Sequence, residues 1–413
     1  MAPNRPTLVD FDHHSPEFAR HNREMAREYL AECPVARTDA YGGFWVVSRY
    51  DDVLAVLRDT EMFSSGHDHG DGPREGGVIP GGKVGLSGGF AEMDGHEHKR
   101  LRTALNSYFS TNAVARQKAE IERSTTWLVD QVIEHGSADF IRDIAAPIPG
   151  IVTLRMLGIP VDHFERFSLP IHLSVAVPPT DPDRPRVNAM LKELLQEMRD
   201  WCERKRAEPG DDMLSFLATS EFDGELLDME ELTAEAVLLL AGGIDTSLRW
   251  FANCFLHLAT HPADREWLVA NPDKRHLARE EFLRYYTPAT GKARTAMRDG
   301  FIGDQPIKAG DRVYAWFQPA NQDPAVFSDP ERFDMERAKN VHVSFGFGVH
   351  RCIGARLAQV EWDVLFDEIL ARMPDFRVRL DETVSYASLG QGPGYTAMPF
   401  DFTPGPRIGP AEL

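Results

Sequence analysis

From Gly95 onward, apolar residues recur at the three- and four-residue spacing of amphipathic helices. Upstream, Gly43–Ser48 has the apolar run of a strand, and Tyr50–Arg58 has the pattern of a short helix. The spacing predicts further helices over residues 95–109, 114–135, 138–157, 161–175, 187–206, 211–219, 228–260, 264–270 and 274–286. Residues 293–302 and 312–317 are predicted strands, and a last helix should run from Cys352 to Arg372 before short terminal strands. The pattern indicates a mainly α fold with small β-sheets, in a single domain over residues 1–413.

One glycine-rich segment interrupts this pattern. Gly66–Gly89 holds ten glycines in 24 residues, too many for the interior of a helix or a strand. Long loops inside compact domains usually have a functional role. We therefore expect a lid or a binding loop between the N-terminal strand and the first long helix.

The composition of the chain argues against several classes of function. The 413 residues include 45 Lys+Arg and 64 Asp+Glu, a net charge of −19, which disfavours a general binder of nucleic acids or anionic membranes. The longest apolar run, Ala236–Ile244, has nine residues, whereas a membrane-spanning helix needs about 20. The N-terminus lacks a signal-peptide pattern, and the four cysteines lie too far apart for a disulfide framework. We expect a cytoplasmic monomer that binds neither membranes nor nucleic acids.

One cysteine has an unusual setting. In Phe345-Gly346-Phe347-Gly348-Val349-His350-Arg351-Cys352-Ile353-Gly354, Cys352 follows a glycine-punctuated loop at the predicted start of a helix. A helix N-terminus offers free N–H groups and the positive end of the helix dipole, which favour a thiolate over a thiol. A lone cysteine is more often a buried structural residue. The whole ten-residue pattern nevertheless favours a metal-bound thiolate, because its glycines let a flat partner approach the backbone.

This segment resembles the haem-ligand loop of the cytochrome P-450 family, including Phe345, Gly346 and the histidine two residues before the cysteine. The resemblance extends over most of the chain. Glu281-Phe282-Leu283-Arg284 matches the ExxR helix of the family, and Pro330-Glu331-Arg332-Phe333 matches its PERF-type segment. The resemblance implies a structural triad of Glu281, Arg284 and Arg332, in which one carboxylate holds two guanidiniums behind the cysteine loop.

The helix predicted over 228–260 carries a second motif. Asp228 and Glu231 have the spacing of a capping box, and His261-Pro262 should end the helix. The middle of the helix, Ala241-Gly242-Gly243-Ile244-Asp245-Thr246-Ser247, has two interior glycines, which cost about 1 kcal/mol each relative to alanine. Either close helix packing or a ligand against the backbone would explain them. The stretch resembles the oxygen-activating motif of the family, which implies that Thr246 hydrogen-bonds the dioxygen and that Asp245 relays protons.

The resemblance also implies how the cofactor is held. His98 and Arg102 have the i,i+4 spacing that two donors to one carboxylate need, and they match partners of a haem propionate. Arg294 and His350 match further propionate partners. The implied cofactor is haem b (iron protoporphyrin IX), with Cys352 as the ligand of its iron.

Together these residues imply a haem-thiolate monooxygenase of the cytochrome P-450 fold, with a long central helix over the haem. It would insert one oxygen atom from O2 into an apolar organic substrate, by hydroxylation, epoxidation or demethylation. The substrate pocket is predicted to be lined by Val78, Ile79, Leu86, Phe90, Leu238, Ala241, Gly242, Ala289 and Thr290. Two alternatives are a peroxide-using enzyme of the same fold and a non-catalytic haem-thiolate sensor. The pair Asp245 and Thr246 favours the monooxygenase, because a sensor has no need for a proton relay and peroxide-using enzymes of this fold often lack the acid–alcohol pair.

Electrons would come from a separate protein. No G-x-G-x-x-G follows a predicted strand, and the resemblance implies a ferredoxin with its ferredoxin reductase. Ferredoxins of this kind are typically acidic, so docking on an acidic chain needs a local basic face. The candidates for this face are Lys99, Arg100, Lys339, Arg351 and Arg356.

Overall fold

Helices make up most of the structure, a computed structural model that describes residues 7–68, 72, 74–80 and 88–413. The helices of this range are α1 (Pro16–Glu32), α2 (Tyr50–Arg58), α3 (Gly95–Phe109), α4 (Thr111–Val132), α5 (Pro147–Leu157), α6 (Phe164–Ala176), α7 (Arg184–Ala207), α8 (Met213–Thr219), α9 (Met229–Thr260), α10 (Pro262–Ala270), α11 (Arg275–Tyr286), α12 (Phe317–Ala320) and α13 (Ala355–Arg372). The predicted pocket residue Leu86 lies outside the described residues.

The strands are short and form small sheets. They are β1 (Val35–Thr38), β2 (Phe44–Val47), β3 (Phe63–Ser64), β4 (Ser137–Asp139), β5 (Glu221–Phe222), β6 (Glu225–Leu226), β7 (Gly291–Ala296), β8 (Gly300–Ile302), β9 (Gln305–Ile307), β10 (Arg312–Trp316), β11 (Arg377–Val378), β12 (Val384–Ser385), β13 (Tyr395–Ala397) and β14 (Pro399–Asp401). The largest sheet has the order β1-β2-β10-β7-β3. Strand β10 is parallel to β2 and antiparallel to β7, with Val313 opposite both Trp45 and Arg294. The predicted mainly α class with small sheets is confirmed.

The long helix α9 begins and ends where the sequence predicts. The Asp228 carboxylate accepts the N–H groups of Glu230 and Glu231 at 2.8 Å each, and Glu231 accepts the Asp228 N–H at 3.2 Å. His261 caps the other end, and Pro262 opens α10. With 32 residues, α9 is about 48 Å long. It packs against α5, α6 and α7 and forms the centre of the fold.

The two interior glycines of α9 have different surroundings. A Cβ on Gly243 would lie 2.5 Å from Oγ1 of Thr153 on α5, so this position allows close packing of the two helices. A Cβ on Gly242 would meet nothing within 4 Å, and Gly242 is exposed within an otherwise mostly buried helix. Close packing therefore explains Gly243, whereas no protein atom requires a glycine at position 242, where the missing Cβ leaves the backbone of α9 open to the space beside the helix.

Aromatic side chains join α9 to α13. Trp250 of α9 stacks on Trp362 of α13 with ring centroids 6.0 Å apart, and both are fully buried. The indole N–H of Trp362 points to Sγ of Cys254 at 3.4 Å. Burying a large apolar side chain contributes about 1.5–3 kcal/mol. This packing fixes the helix that follows the cysteine loop against the central helix.

Helix α1 is not predicted by the hydrophobic pattern. Of its 17 residues, Phe18, Ala26 and Tyr29 are the buried ones, so its apolar stripe is thin. Its start does carry a local signal, because Ser15 accepts the Phe18 N–H and Pro16 occupies the first turn. Capping residues would have indicated this helix where periodicity did not.

Two predicted helix starts are wrong. The helix predicted over 138–157 is replaced at its start by β4 and a π-helical turn, Phe140–Ala145, because residues 137–139 pair with β14. The last helix begins at Ala355 instead of Cys352. The Cys352 N–H donates to the Phe345 carbonyl at 2.8 Å, which closes the loop and excludes a helical bond at that position.

The prediction that Arg332 is the third member of the triad is also wrong. Glu281 and Arg284 are fully buried and paired at 2.7 Å, and the second guanidinium on Glu281 belongs to Arg337, at 3.1 Å. The Arg332 side chain is exposed, and its carbonyl instead accepts N–H groups of Arg284 and Arg337 at 3.1 and 3.0 Å. The Asp334 N–H also donates, at 2.9 Å, to one of the two Glu281 carboxylate oxygens. A carboxylate offers about four lone-pair sites, so none is left for Arg332.

This arrangement predicts that substitutions of Arg337 and Arg332 have different effects on the free energy of unfolding. Arg337→Met should lower the free energy of unfolding by about 3 kcal/mol, because it removes one of the two guanidiniums that hold the buried Glu281 carboxylate and leaves the carbonyls of Ser328 and Asp329 without their donor. Arg332→Met should change it by less than about 0.5 kcal/mol, as expected for an exposed side chain. Urea unfolding followed by tryptophan fluorescence measures both. Equal losses in the two variants would contradict the assignment of Arg337.

Candidate functional site

The cysteine loop, residues 345–354, is held in a tight turn. Gly346 and Gly348 have φ values of +68° and +72°, which side-chain-bearing residues rarely adopt. A Cβ on Gly348 would also lie 2.7 Å from the Leu57 carbonyl of α2. The Gly346 N–H donates to the Val343 carbonyl at 2.7 Å, and the loop closes through the bond between Phe345 and the cysteine. The glycines thus permit the tight turn of the backbone that presents the thiol.

The Cys352 thiol faces an internal cavity. Its side chain is accessible although protein atoms surround it. That burial raises the pKa of the thiol, while the Gly354 N–H and the positive charges of Arg102 and Lys292 act in the opposite direction. The side chain of Lys292 on β7 likewise keeps accessible surface although protein atoms surround it. Its charge interacts with both Cys352 and Arg249 of α9. The cavity therefore extends between the cysteine loop and α9.

The middle of α9 forms the opposite wall. Gly242 is exposed there, and Leu238, Ala241 and Thr246 keep part of their surface accessible, whereas most of the helix is buried. Ile353 of the cysteine loop packs with the same apolar cluster as Leu238 and Ala241. The middle of α9 and the cysteine loop thus share one apolar cluster and both keep accessible surface, and their position on either side of one site stays a prediction.

Nitrogen donors gather at one side of this space. The rings of His98 on α3 and His350 lie 4.2 Å apart, and burial, with the charges of His350 and Arg102, lowers the pKa of His98 to about 4. Asp94 lies 3.5 Å from Nε2 of His350. Burial acts to raise the pKa of Asp94, but contacts with His350 and Ser64 outweigh it and bring that pKa to about 2. The acid is therefore ionised beside two histidines.

Several of these donors lack an aligned hydrogen-bond partner within the described residues. They are Nε2 of His98, Nε2 of His350 and Nε of Arg294. A buried donor left unpaired costs about 1–3 kcal/mol. Arg294 and Arg102 also bring permanent positive charges. A flat group bearing carboxylates fits this cavity, since it would satisfy the free donors and lie against the glycines of the loop.

Asp245 and Thr246 share a third partner that the sequence did not single out. Nε of Arg249 lies 2.8 Å from Oδ2 of Asp245, an ion pair whose N–H is not aligned as a hydrogen bond. Nη2 of Arg249 donates to the Thr246 hydroxyl at 3.3 Å. The other Asp245 oxygen contacts His172 and Tyr386. The acid and the alcohol are thus neighbours joined by one guanidinium.

The predicted pocket residues fall into two groups. Val78, Leu238, Ala241, Gly242 and Ala289 keep accessible surface. Ile79, Phe90 and Thr290 are buried, Ile79 in a core that includes residues of α1, and the Thr290 hydroxyl donates to the Leu389 carbonyl at 2.6 Å. The pocket role of all these residues stays a prediction.

A mainly α fold with a cysteine open to an internal cavity, framed by free cationic donors, defines a haem-thiolate protein. Comparisons with known proteins agree. The cytochrome P450 family model matches residues 278–388. The chain is 32% identical to the steroid C26-monooxygenase of Mycolicibacterium smegmatis, over 92% of this chain and 93% of that protein.

Solved structures match nearly the whole chain. Cytochrome P450 CYP268A2 of Mycobacterium marinum, in complex with pseudoionone, has a TM-score of 0.87 at 30% identity and covers 97% of this chain and 100% of its own. A mutant of P450 EryK in complex with erythromycin B has a TM-score of 0.84 at 31% identity, over 96% and 100%. The chain belongs to the cytochrome P450 family, and it is an oxidoreductase, a haem-thiolate monooxygenase. The predicted family, fold class and enzyme class are confirmed.

Among the helices that the structure describes, none is long and apolar enough to cross a membrane. This agrees with the short apolar runs of the sequence.

Sequence reasoning missed four residues of the site. They are Arg249, His172, Tyr386 and Lys292. Arg249 could have been found, because it stands four residues after Asp245 on the same helix. His172 and Tyr386 are 73 and 141 residues away from Asp245, and no local pattern connects them.

A buried acid lies behind the cysteine loop. Glu361 of α13 is 2% exposed, and burial raises the pKa of its carboxyl to about 8, while a hydrogen bond with Ser247 of α9 acts in the opposite direction. At neutral pH the folded protein thus holds this carboxyl protonated. The unfolded chain, with an ordinary pKa near 4.5, does not.

This difference makes stability depend on pH. The folded state binds the proton more tightly, so the contribution of Glu361 is fully present below pH 4.5 and is lost as the pH rises through about 8. Glu361→Gln, which cannot ionise, should therefore gain stability over the wild type across that window, by up to about 1.4 kcal/mol per pH unit. Urea unfolding at pH 5, 6.5 and 8 measures the gain.

Glu122→Gln on α4 is the matched control, since this carboxylate is exposed and pairs with Lys118 at 3.2 Å. Its stability difference from the wild type should not change with pH over the same window. A constant difference for Glu361→Gln as well would show that Glu361 is ionised in the folded protein.

Proposed function

We propose that the cavity between the cysteine loop and α9 holds haem b, with Cys352 as the iron ligand. Phe345 and Gly346 frame the ligand loop. His98, Arg102, Arg294 and His350 hold the propionates. The observation that carries this proposal is the accessible Cys352 inside the fold, surrounded by cations and by donors without partners. The thiolate and two propionates would add negative charge to a cluster in which Asp94 is the carboxylate beside the two histidines.

The haem supplies the oxygen chemistry when bound, and the protein supplies the ligand, the protons and the pocket. Thr246 offers a hydroxyl that faces the cavity and can donate to a bound oxygen molecule. Asp245 holds the proton that Thr246 passes on, and Arg249 keeps both side chains in place. Removal of bulk water by the buried walls limits loss of protons and electrons to side reactions.

The substrate is an apolar organic molecule. Leu238, Ala241 and Ala289 present apolar surface to the cavity, and Gly242 leaves room beside the helix. A relative that is a steroid monooxygenase supports a substrate of this class. The chain works as one catalytic domain over residues 1–413, as a monomer in the cytoplasm.

The test of this proposal is spectroscopic. The reduced protein with CO should show the red-shifted Soret band of a thiolate-ligated haem. Cys352→His should abolish that band while the protein still folds, because imidazole does not supply thiolate electron density. Extracted haem should be unmodified iron protoporphyrin IX. A wild-type CO spectrum typical of histidine-ligated haem would contradict the assignment of Cys352.

The electron donor is an acidic ferredoxin reduced by its reductase. Lys99, Lys339, Arg351 and Arg356 are exposed, and within the described chain none of the four is in an ion pair closer than 4 Å. The predicted contribution of Arg100 is wrong, because its side chain pairs with Glu231 at 3.5 Å and lies 3.9 Å from Asp223. The four free cations form the basic face, next to the cysteine loop and at the start of α3 and α13.

Charge reversal on this face should slow electron transfer. Lys99→Glu and Arg351→Glu should reduce the rate of haem reduction by a ferredoxin at low salt and flatten its dependence on ionic strength. Lys192→Glu on α7 is the matched control, because it is exposed on a helix that packs on α6, α8 and α9 and not on the cysteine loop. Wild-type rates and salt slopes in both face variants would place docking elsewhere.

A further inference from the structure

The carboxylate of Asp245 is enclosed by three side chains from three parts of the chain. Nδ1 of His172, on α6, lies 3.1 Å from its Oδ1, and the Tyr386 hydroxyl lies 3.2 Å from the same oxygen. The Tyr386 hydroxyl is also 3.0 Å from His172 Nδ1. Arg249 takes the other oxygen. Asp245 is 2% exposed, so any proton that it gains must come through one of these neighbours.

The hydrogen-bond pattern requires a hydrogen on Nδ1 of His172, and in the neutral ring this leaves Nε2 without one. An ionised carboxylate only accepts hydrogen bonds, so Nδ1 must carry the hydrogen when it contacts Asp245. Tyr386 donates its own hydrogen to Asp245, and its oxygen can accept from Nδ1. With the hydrogen on Nδ1, every contact joins a donor to an acceptor. The remaining ring nitrogen, Nε2, is then a free acceptor.

Nε2 of His172 is open. It has no hydrogen-bond partner within the described residues and is not among their fully buried polar atoms. His172 is 8% exposed, and Nε2 is the ring nitrogen for which no protein group within the described residues competes with water. The imidazole therefore connects a nitrogen that water can protonate with a nitrogen that contacts Asp245.

Neither of the other two partners can do this. Arg249 keeps its proton at all accessible pH values. Tyr386 is 3% exposed, and within the described residues its hydroxyl contacts only Asp245 and His172, so it leads to no other source of protons. Imidazole is the side chain that gains and loses a proton near neutral pH.

We propose that His172 is the residue through which protons enter the Asp245 carboxylate. It acts through Asp245, as a positioning and relay residue, and the proposal rests on the function proposed above. One proton binds Nε2 from water, and the Nδ1 proton passes to Oδ1 of Asp245. Asp245 then returns to its ionised form as its proton passes to the Thr246 hydroxyl, which gives its own hydrogen to the oxygen molecule in the cavity, and the ring returns to its first form when it turns or exchanges its hydrogen. One proton moves inward per cycle, and no electron is gained or lost in this step.

Two substitutions separate a relay from a structural contact. His172→Asn keeps an amide N–H near the position of Nδ1 and can hold Asp245, but an amide cannot pass a proton on. His172→Phe removes both functions. A relay predicts that both variants lose turnover to a similar degree, about tenfold, with more peroxide per electron and a larger solvent deuterium effect. A structural contact predicts that His172→Asn behaves as the wild type.

A readout that does not depend on turnover tests the same assignment. In the reduced holoenzyme with CO, protonation of His172 adds a charge beside Asp245 and should shift the infrared stretch of CO with pH. That part of the pH dependence should be lost in His172→Asn, so that the shift becomes smaller than in the wild type, and it should be retained in full in His163→Asn. His163 is the matched control, because it precedes α6 and lies 3.6 Å from Glu197, away from Asp245.

Each outcome decides the proposal. Loss of turnover together with a smaller CO shift in His172→Asn supports the relay. Wild-type turnover, or an unchanged pH dependence of the CO stretch, in His172→Asn overturns it, whatever the phenylalanine variant does. An intact red-shifted Soret band in every variant shows that the haem-thiolate assignment holds, so a failure of the relay is distinguishable from a failure of the proposed function.

Discussion

The buried carboxylate of Glu281 is the interaction on which the rest of the site depends. It accepts hydrogen bonds from Arg284, Arg337, the Asp334 N–H and Asn340. A charge at this depth is tolerated because it is fully paired, and removal of one partner costs several kcal/mol. Since the donors come from α11 and from the segment after residue 330, the carboxylate ties two distant parts of the chain together.

The same network extends to the thiol. Arg284 donates to the Asn321 carbonyl at 3.0 Å, and the Asn321 side chain binds the Val343 N–H at 2.7 Å and the Ser344 hydroxyl at 2.9 Å. Val343 and Ser344 directly precede Phe345, the first residue of the cysteine loop. The position of the thiol is therefore set by hydrogen bonds that start at one buried acid, and the glycines of the loop only have to permit the turn.

The sequence predicts the parts of this protein that depend on local pattern. The bounds of α2, α3 and α9 and the capping box at Asp228 follow from spacing and residue type. Pairings over long range do not. Arg332 and Arg337 lie five residues apart, and only the turn that directs the Arg332 carbonyl inward shows which guanidinium reaches Glu281. His172 likewise meets Asp245 through the packing of α6 on α9.

The buried charges around Asp245 show why chemistry and structure cannot be separated at that residue. Arg249 is 4% exposed and permanently charged, so it needs the Asp245 carboxylate as a counter-charge. Replacing Asp245 would leave the guanidinium unpaired and free to shift its contact with Thr246, and a loss of activity would then have two causes. His172 is different, because it adds no permanent charge and its two ring nitrogens have distinct neighbours. The proton supply can therefore be altered at the histidine while the ion pair that holds the acid and the alcohol together stays in place.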